Sequence, residues 1–395
     1  MKESIENRSF IYDIPTKVYF GKNQLNNLGK ELSVYGKKVL LCYGGGSIKK
    51  SGLYDRVISE IENAGLELFE LGGIAPNPRI ESVNAGADIC KRENIDVLLA
   101  VGGGSVLDCT KYIGAGAFYD GDAWDILLEK VPVKKCLPVV TVLTLAATGS
   151  EMDASGVISN PDTKDKIGLI FPAMQPKVSF LDPTETFSVN KYQTACGCSD
   201  ILSHIIESYF VPENESMYML DRFKEGMMRT LINYAPVALA QPDNYEARAN
   251  LMWTSSWAIN GFTGSLQNCE WTCHPIEHEL SAIYDITHGL GLAILTPKWM
   301  KYVLDEKTAD RFYTYGVEVF GIDPSLSKMD VANKSIELTE DFLYNTLGLS
   351  STLTEIKIDD KNFDVMAEKA CCGDVLYGFK PLNKENIKEI FKMCL

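Results

Sequence analysis

Histidine is rare in this sequence and narrowly placed. The 395-residue chain has four histidines, and three of them, His274, His278 and His288, lie in the stretch CHPIEHELSAIYDITHG. The fourth, His204, follows Asp200 by four residues in SDILSH. An imidazole can bind a metal ion, transfer a proton near neutral pH, or serve as a polar core residue. The last is the ordinary interpretation of a single histidine on an apolar helix face, so the argument for chemistry depends on the whole set.

Asp200 and His204 have the spacing of two metal ligands on one helix. Residues four apart share a helix face, and His274 and His278 repeat that spacing, although Pro275 places His274 at a helix start or bend. An aspartate with neutral imidazoles and no thiolate suits Fe(II), Zn(II) or another divalent first-row ion. The pattern predicts a four-ligand site of Asp200, His204 and two of the three later histidines, and it leaves open which histidine remains for chemistry.

A glycine triplet in LLAVGGGSVLDCTK follows a predicted strand and precedes a predicted helix. Gly103, Gly104 and Ser105 lie at this turn, where glycine lets the backbone approach a ligand closely. The N–H groups at the start of the helix favour a pyrophosphate. The alternative is a plain helix start, because Ser105 and Asp108 have capping-box spacing.

An earlier triplet lies in VLLCYGGGSIKK, which contains Gly44, Gly45, Gly46 and Ser47. Neither triplet has the G-x-G-x-x-G spacing of the ordinary dinucleotide fingerprint. A site for NAD usually offers a carboxylate to the adenosine ribose, whereas this loop offers backbone donors, a hydroxyl and the two lysines Lys49 and Lys50. That chemistry suits an additional 2′-phosphate. The loop therefore favours NADP(H) over NAD(H), with solvated surface lysines as the alternative.

A third loop, TLAATGSEMD, also follows a predicted strand. Thr144, Thr148 and Ser150 could donate hydrogen bonds to phosphate or ribose oxygens. The alternative is again a helix start, with Thr148 and Glu151 at capping-box spacing.

The elements that must position these residues divide the chain into two halves. Apolar runs predict strands at 38–43, 66–70, 95–101, 137–143 and 178–182, with helices at 53–64 and 79–93. Later helical periods cover 188–211, 216–238, 244–262, 288–304, 308–319, 327–346 and 384–394, with no convincing strand after residue 188. We therefore expect a Rossmann-like α/β domain with a doubly wound parallel sheet over residues 1–184, and an all-helical, metal-binding domain over residues 185–395.

Composition excludes several classes of partner. The chain has 38 basic and 53 acidic residues, a net charge of −15, and no basic run, which disfavours nucleic acid. No window approaches the roughly 18 apolar residues of a membrane span, and the start MKESIENRSF lacks the apolar core of a signal peptide. The 11 cysteines are scattered without a CxxC motif, which predicts reduced thiols and a cytoplasmic location.

Four motifs resemble, in order and spacing, those of the iron-containing (type III) alcohol dehydrogenase family. They are GGGSVLD, ATGSE, CSDILSHIIE, and HPIEH followed by HG. The resemblance covers nearly the whole chain. Within the family, the chain looks most similar to the NAD(P)H-dependent butanol dehydrogenase branch. The resemblance implies a dehydroquinate synthase-like architecture, a homodimer and a bound Fe(II) or Zn(II). It also implies hydride transfer between NAD(P)H and a small aliphatic aldehyde or primary alcohol, such as butanal or butanol.

The resemblance also implies roles for individual residues. The metal ligands would be Asp200, His204, His274 and His288, which leaves His278 for proton transfer beside the substrate and the nicotinamide. The cofactor-binding positions would be Gly103, Gly104, Ser105, Asp108, Thr144, Thr148, Lys166 and Leu181. Leu145 and Ala147 replace the threonine and glycine that are usual in the family, which removes one hydrogen bond to the cofactor.

Three other kinds of protein compete with this interpretation. A metallohydrolase could use the two histidines of HPIEH, but the glutamate precedes the second histidine instead of following the first. A lyase or cyclase of the dehydroquinate synthase type needs basic side chains for a polar substrate, and residues 274–288 contain none. A non-catalytic binding protein is the third alternative. Aldehyde-dependent loss of nicotinamide absorbance separates the dehydrogenase from all three.

Overall fold

The computed structural model describes residues 9–212, 217–264 and 271–395. The chain forms two compact units. The sheet unit contains Asp13–Asn190 and Pro242–Asn260, and the helical unit contains residues 9–12 with Lys191–Gln241 and Gly261–Leu395. The predicted domain boundary, between residues 184 and 185, lies shortly before the passage of the chain from Asn190 to Lys191 and stays a prediction.

The sheet unit is built from short strands that alternate with helices. The six strands of its main sheet are β1 (Lys17–Phe20), β2 (Lys38–Tyr43), β3 (Glu67–Leu71), β4 (Val97–Gly102), β5 (Val139–Leu143) and, after a hairpin of β6 (Ser155–Asn160) and β7 (Asp165–Ile170), β8 (Val178–Leu181). The helices between them are α1 (Leu28–Ser33), α2 (Ser47–Lys50), α3 (Leu53–Asn63), α4 (Ile80–Glu93), α5 (Gly104–Gly116) and α6 (Trp124–Leu127).

The main sheet is doubly wound, as predicted. Its order is β1-β8-β5-β4-β2-β3, and every pairing is parallel. Residues of α4 and α5 form the core on one face, and residues of α1 and α3 form the core on the other. The chain runs from β2 to β3 in one direction and then places β4 on the opposite side of β2. The switch point, where such sheets bind ligands, therefore lies between the carboxyl ends of β2 and β4.

The second half of the chain is mainly helical. Its helices are α7 (Lys191–Tyr209), α8 (Tyr218–Ala240), α9 (Tyr245–Ile259), α10 (Cys273–Tyr284), α11 (His288–Val303), α12 (Ala309–Phe320), α13 (Lys328–Glu340), α14 (Phe363–Ala370) and α15 (Lys384–Met393). The expectation of no strand after residue 188 is wrong for one small antiparallel pair, β9 (Val375–Leu376) and β10 (Leu382–Asn383). Two-residue strands are too short to show a period in the sequence. In the described residues, no helix combines the length and apolarity that a membrane span needs.

Helix α9 packs within the sheet unit, although its sequence lies in the helical half. The turn after β5 approaches it closely: Gly149 has φ 64°, and a Cβ there would lie 2.8 Å from the carbonyl oxygen of Ser255 and 2.3 Å from the side chain of Ile259. The Ser256 hydroxyl donates a hydrogen bond to Glu151 (2.5 Å). Helix α9 therefore holds the loop that carries the third candidate cofactor segment.

Candidate metal centre and cofactor loops

Helix α7 is largely buried and carries three ionisable side chains on one face. Asp200, His204 and Glu207 are all buried, and their spacing of four and then three residues places them on the same side of the helix. A buried aspartate must be paired, hydrogen-bonded or bound to a cation to offset its loss of hydration.

Asp200 lies at the centre of three imidazoles. Its Oδ1 atom is 3.4 Å from Nε2 of His204, 3.6 Å from Nε2 of His274 and 3.7 Å from Nε2 of His288. His274 comes from the first turn of α10, and His288 is the first residue of α11. The structure therefore brings together the four side chains that were predicted as metal ligands.

These distances fit a shared cation better than direct hydrogen bonds. All three exceed the ordinary N–H···O range of about 2.7–3.2 Å. Ligand atoms about 2.0–2.2 Å from a tetrahedral metal lie about 3.3–3.6 Å apart. Among the described residues, Oδ1 of Asp200 and Nε2 of His274 are buried without a hydrogen-bond partner. These two unpartnered buried atoms lie 3.6 Å apart, and both could serve as ligands of one divalent ion.

His278 lies one turn further along α10 and is half-buried. Its ring centroid is 6.4 Å from that of His274 and 5.6 Å from that of His288. Glu277, His278 and His288 form a second group of potential ligand atoms. However, the Glu277 carboxylate already contacts Nδ1 of His288, so the set centred on Asp200 is the better candidate and leaves His278 beside it.

Two buried glutamates that sequence reasoning missed contact the imidazoles. Glu207 contacts Nδ1 of His274, and Glu277 contacts Nδ1 of His288. Glu207 follows Asp200 by seven residues, a helical spacing that could have indicated it. Glu277 lies inside HPIEH, where the glutamate was considered only in the comparison with the zincin motif.

Gly289 lets α11 approach α7. A Cβ at Gly289 would lie 2.0 Å from the carbonyl oxygen of Cys196, one turn before Asp200. Two residues later, a Cβ at Gly291 would lie 2.6 Å from Oε1 of Glu277. His288 can reach Asp200 and Glu277 because both of these helical positions are glycine.

The environment shifts the pKa values of the site in different directions. Burial lowers the pKa of His204 to about 4, so its ring is neutral at pH 7 and has a lone pair to offer a metal. Burial alone would raise the pKa of Asp200, but the adjacent His204, His274 and His288 hold it below its ordinary value. Burial opposes charge on His274 as well, yet the Glu207 carboxylate raises the pKa of that ring to about 9.

The candidate cofactor loops lie in the sheet unit, at the carboxyl ends of adjacent strands. Gly44, Gly45, Gly46 and Ser47 follow β2, Gly103, Gly104 and Ser105 follow β4, and Thr144 and Thr148 follow β5. The first two loops flank the switch point of the sheet, where a dinucleotide is expected. Gly46 has φ 102°, a conformation that requires glycine. A Cβ at Gly104 would lie 2.3 Å from the Thr148 hydroxyl oxygen, so the second and third loops contact each other.

Neither predicted capping box is present. The N-cap of α5 is Gly103, with no side-chain cap, so Ser105 lies inside the helix and does not cap it. Asp108 accepts hydrogen bonds from the Ser150 hydroxyl (2.6 Å) and the Val157 N–H (3.0 Å), and burial raises its pKa to about 6. Those partners tie α5 to the loop after β5 and to β6.

The segment from Thr148 to Glu151 also lacks capping-box geometry. The Thr148 hydroxyl accepts a hydrogen bond from the Ser150 N–H at 3.3 Å. The Glu151 carboxylate accepts a hydrogen bond from the Ser256 hydroxyl instead of from the Thr148 backbone. The element there is a single 3-10 turn, Ser150–Met152, which is too short to need a capping box.

The remaining predicted cofactor residues lie in the sheet unit as well. Lys166 is buried on β7, and Leu181, the last residue of β8, is fully buried in the core. Lys49 lies over the rings of Tyr43 and Tyr54, at 4.9 and 4.5 Å from the ring centroids.

The chain has a doubly wound sheet with glycine loops at its switch point, and it also carries an aspartate on which three imidazoles converge. These features define the class of proteins that bind both a nucleotide and a metal ion. The model of the iron-containing alcohol dehydrogenase family matches residues 15–183. The model of the C-terminal region of Fe-containing alcohol dehydrogenases matches residues 194–395. The chain belongs to the iron-containing alcohol dehydrogenase family.

Similar proteins span almost the whole chain. NADH-dependent butanol dehydrogenase A of Clostridium acetobutylicum is 48% identical over 386 residues, 97% of this chain and 99% of that protein. NADPH-dependent aldehyde reductase YqhD of Escherichia coli is 36% identical and is matched over 91% of this chain and 92% of its own length. The crystal structure of NADH-dependent butanol dehydrogenase A from Thermotoga maritima has a TM-score of 0.93 at 38% identity, covering 98% of both chains.

Proposed function

We propose that this protein is an NAD(P)H-dependent alcohol dehydrogenase that interconverts small aliphatic aldehydes and primary alcohols, such as butanal and butanol. The observation that carries the proposal is the convergence of three imidazole Nε2 atoms within 3.4–3.7 Å of one Asp200 oxygen. The names of the relatives, butanol dehydrogenase and aldehyde reductase, support the same reaction class. Among these named relatives there is no lyase and no hydrolase, so those alternatives are not carried forward.

The proposed metal ligands are Asp200, His204, His274 and His288, and Fe(II) is the proposed ion because the family is iron-containing. A bound dication would act as a Lewis acid toward the aldehyde oxygen. Asp200 contributes the single negative charge of the ligand set, and His204 contributes a ring that burial keeps neutral.

His278 is the proposed proton-transfer residue. It lies one helical turn from His274 and is half-buried, and imidazole is the side chain that most often transfers protons in enzymes. Reduction of an aldehyde requires hydride from nicotinamide C4 at the carbonyl carbon and a proton at the oxygen. His278 would deliver that proton through a ribose hydroxyl of the cofactor.

The proposed cofactor is NADP(H), with NAD(H) as the alternative. Gly44 to Ser47 present no carboxylate to repel a 2′-phosphate, and Lys49 and Lys50 follow after one residue. Lys49 is close to two tyrosine rings, which holds its charge near the loop. The C. acetobutylicum relatives are named NADH-dependent and the E. coli relative NADPH-dependent. The cytoplasmic location and the homodimer stay predictions.

The test is anaerobic purification, metal analysis, and butanal reduction with NADPH and NADH in parallel. The proposal expects one divalent ion per chain, with Asp200→Ala losing the ion and His278→Ala keeping it while losing most turnover. A fully occupied Asp200→Ala protein would remove Asp200 from the ligand set. Wild-type turnover in His278→Ala would end the proton-transfer role, and no aldehyde-dependent oxidation of either cofactor would end the proposed function.

A further inference from the structure

Two of the three candidate ligand imidazoles contact a buried carboxylate through Nδ1, the ring nitrogen that does not face Asp200. We infer that Glu207 and Glu277 are positioning residues, which hold His274 and His288 with Nε2 toward Asp200 and so set the affinity of the site for a divalent ion. This inference rests on the proposed function, since it requires that a metal ion binds there.

Glu277 is placed to orient His288. Its Oε2 atom contacts Nδ1 of His288, and its Oε1 atom accepts a hydrogen bond of 2.5 Å from the Ser281 hydroxyl. The side chain is fully buried and lies against Gly291, where a Cβ would be 2.6 Å from Oε1. The carboxylate therefore has both oxygens engaged and little room to turn, which fixes the orientation of the His288 ring.

Glu207 acts on both the His274 ring and the helix that carries it. Its Oε1 atom contacts Nδ1 of His274 and accepts from the Ser203 hydroxyl at 3.1 Å. Its Oε2 atom accepts three backbone N–H groups, those of Thr272 (2.6 Å), Cys273 (2.7 Å) and His274 (3.3 Å). These N–H groups belong to Thr272, the N-cap of α10, and to the first two residues of that helix, where no intrahelical partner exists. One carboxylate on α7 thus caps α10 and orients the imidazole in its first turn.

His204 provides a contrast inside the same site. Its Nδ1 atom is buried and, among the described residues, has no hydrogen-bond partner. Its ring is held by packing instead: it stacks on His274 with centroids 4.7 Å apart and planes 14° apart, and Trp271 meets it edge-on at 5.3 Å. The two glutamates are therefore specific additions to His274 and His288.

A carboxylate on Nδ1 has two consequences for a metal-binding imidazole. It keeps the proton on Nδ1, which leaves the Nε2 lone pair free for the metal, and it increases the basicity of the ring. Loss of such a partner typically weakens metal binding by about 10–100-fold. The two carboxylates also add negative charge that is buried beside a cation with only one anionic ligand.

The experiment compares Glu277→Gln with Glu279→Gln. Glutamine matches the shape of Glu277 and removes its charge. Glu279 is a buried glutamate on the same helix whose carboxylate faces Lys369 at 3.4 Å, so Glu279→Gln is the matched control. Zn(II) affinity is measured by competition with a chromophoric chelator, and the ligand field by the visible absorption of the Co(II)-loaded protein. The thermal midpoint of each metal-free protein reports any purely structural effect.

We expect Glu277→Gln to bind Zn(II) about 10–100-fold more weakly, to shift the Co(II) absorption, and to keep the wild-type midpoint without metal, while Glu279→Gln keeps wild-type affinity. Glu207→Gln should lose affinity and, because Glu207 also caps α10, lower the metal-free midpoint. Affinity within twofold of wild type in Glu277→Gln would overturn the inference while leaving the proposed function intact. A wild-type protein that binds no Zn(II) or Co(II) would overturn both.

Discussion

Gly289→Ala is expected to remove His288 from the metal site. The new Cβ would lie 2.0 Å from the carbonyl oxygen of Cys196, whereas a carbon and a carbonyl oxygen in contact are about 3.3 Å apart. The obstacle is the backbone of α7, which cannot rotate away as a side chain can. Helices α7 and α11 must therefore separate locally by about 1.3 Å, the difference between the contact distance and the distance at which the new Cβ would lie.

That separation is large compared with the tolerance of a metal site. Nε2 of His288 is now 3.7 Å from Oδ1 of Asp200, and a shift of about 1.3 Å would move it to about 5 Å, whereas ligand distances tolerate only about 0.2 Å. Loss of a partner outside the ligand set alone costs about 10–100-fold in affinity. We therefore expect Gly289→Ala to lower Zn(II) affinity by at least about 100-fold.

Chelator competition and metal content measure the effect, and Gly226→Ala is the matched control. Gly226 lies within α8, where the atom that a Cβ would meet among residues 9–212, 217–264 and 271–395 is the tip of the Arg229 side chain, at 4.0 Å. Replacing a helical glycine by alanine there should be neutral or stabilise by up to about 1 kcal/mol. Wild-type metal affinity in Gly289→Ala would refute the close-approach argument.

Two further predictions concern the sheet unit. Burial raises the pKa of Glu151 to about 7 from an unfolded value near 4.3. The folded protein therefore binds more protons than the unfolded chain, and this group should cost stability as pH rises from about 4 to 7, by about 4 kcal/mol above pH 7. Glu151→Gln should reduce the difference in unfolding free energy between pH 5 and pH 8, and denaturant titrations at both values would show an unchanged difference if the argument is wrong. Gly104→Ala would place a Cβ 2.3 Å from the Thr148 hydroxyl oxygen, so we expect a KM for the nicotinamide cofactor raised at least about 10-fold with full metal content; an unchanged KM would contradict contact between the two loops as a requirement for cofactor binding.

Elements with a strong period in the sequence were predictable, and those set by distant contacts were not. The apolar runs of β2, β4 and β5 identify a buried parallel sheet because both faces of each strand are covered. Strand β1 was missed because it is a four-residue edge strand whose partner is β8, with Lys17 paired to Val178. The β6–β7 hairpin was missed as well, since its strands are only partly buried.

In the candidate site, spacing identified ligand types but not their supports. Asp200 and His204 lie one turn apart on a single helix, which is a local signal. The partnership of Glu207 with His274 joins residues 67 positions apart, and no local pattern reports it. Spacing alone also left open which late histidine stands apart from the other three, and the geometry around Asp200 was needed to separate His278 from His274 and His288.

The return of α9 to the sheet unit bears on how the protein can be dissected. A fragment that ended at Asn190 would lack the helix against which Gly149 packs and to which Glu151 is hydrogen-bonded. Such a fragment would expose the apolar side of the loop after β5 and leave a carboxylate without its donor. A chimera that exchanges the sheet unit with that of another family member should therefore exchange both of its segments, Asp13–Asn190 and Pro242–Asn260, together.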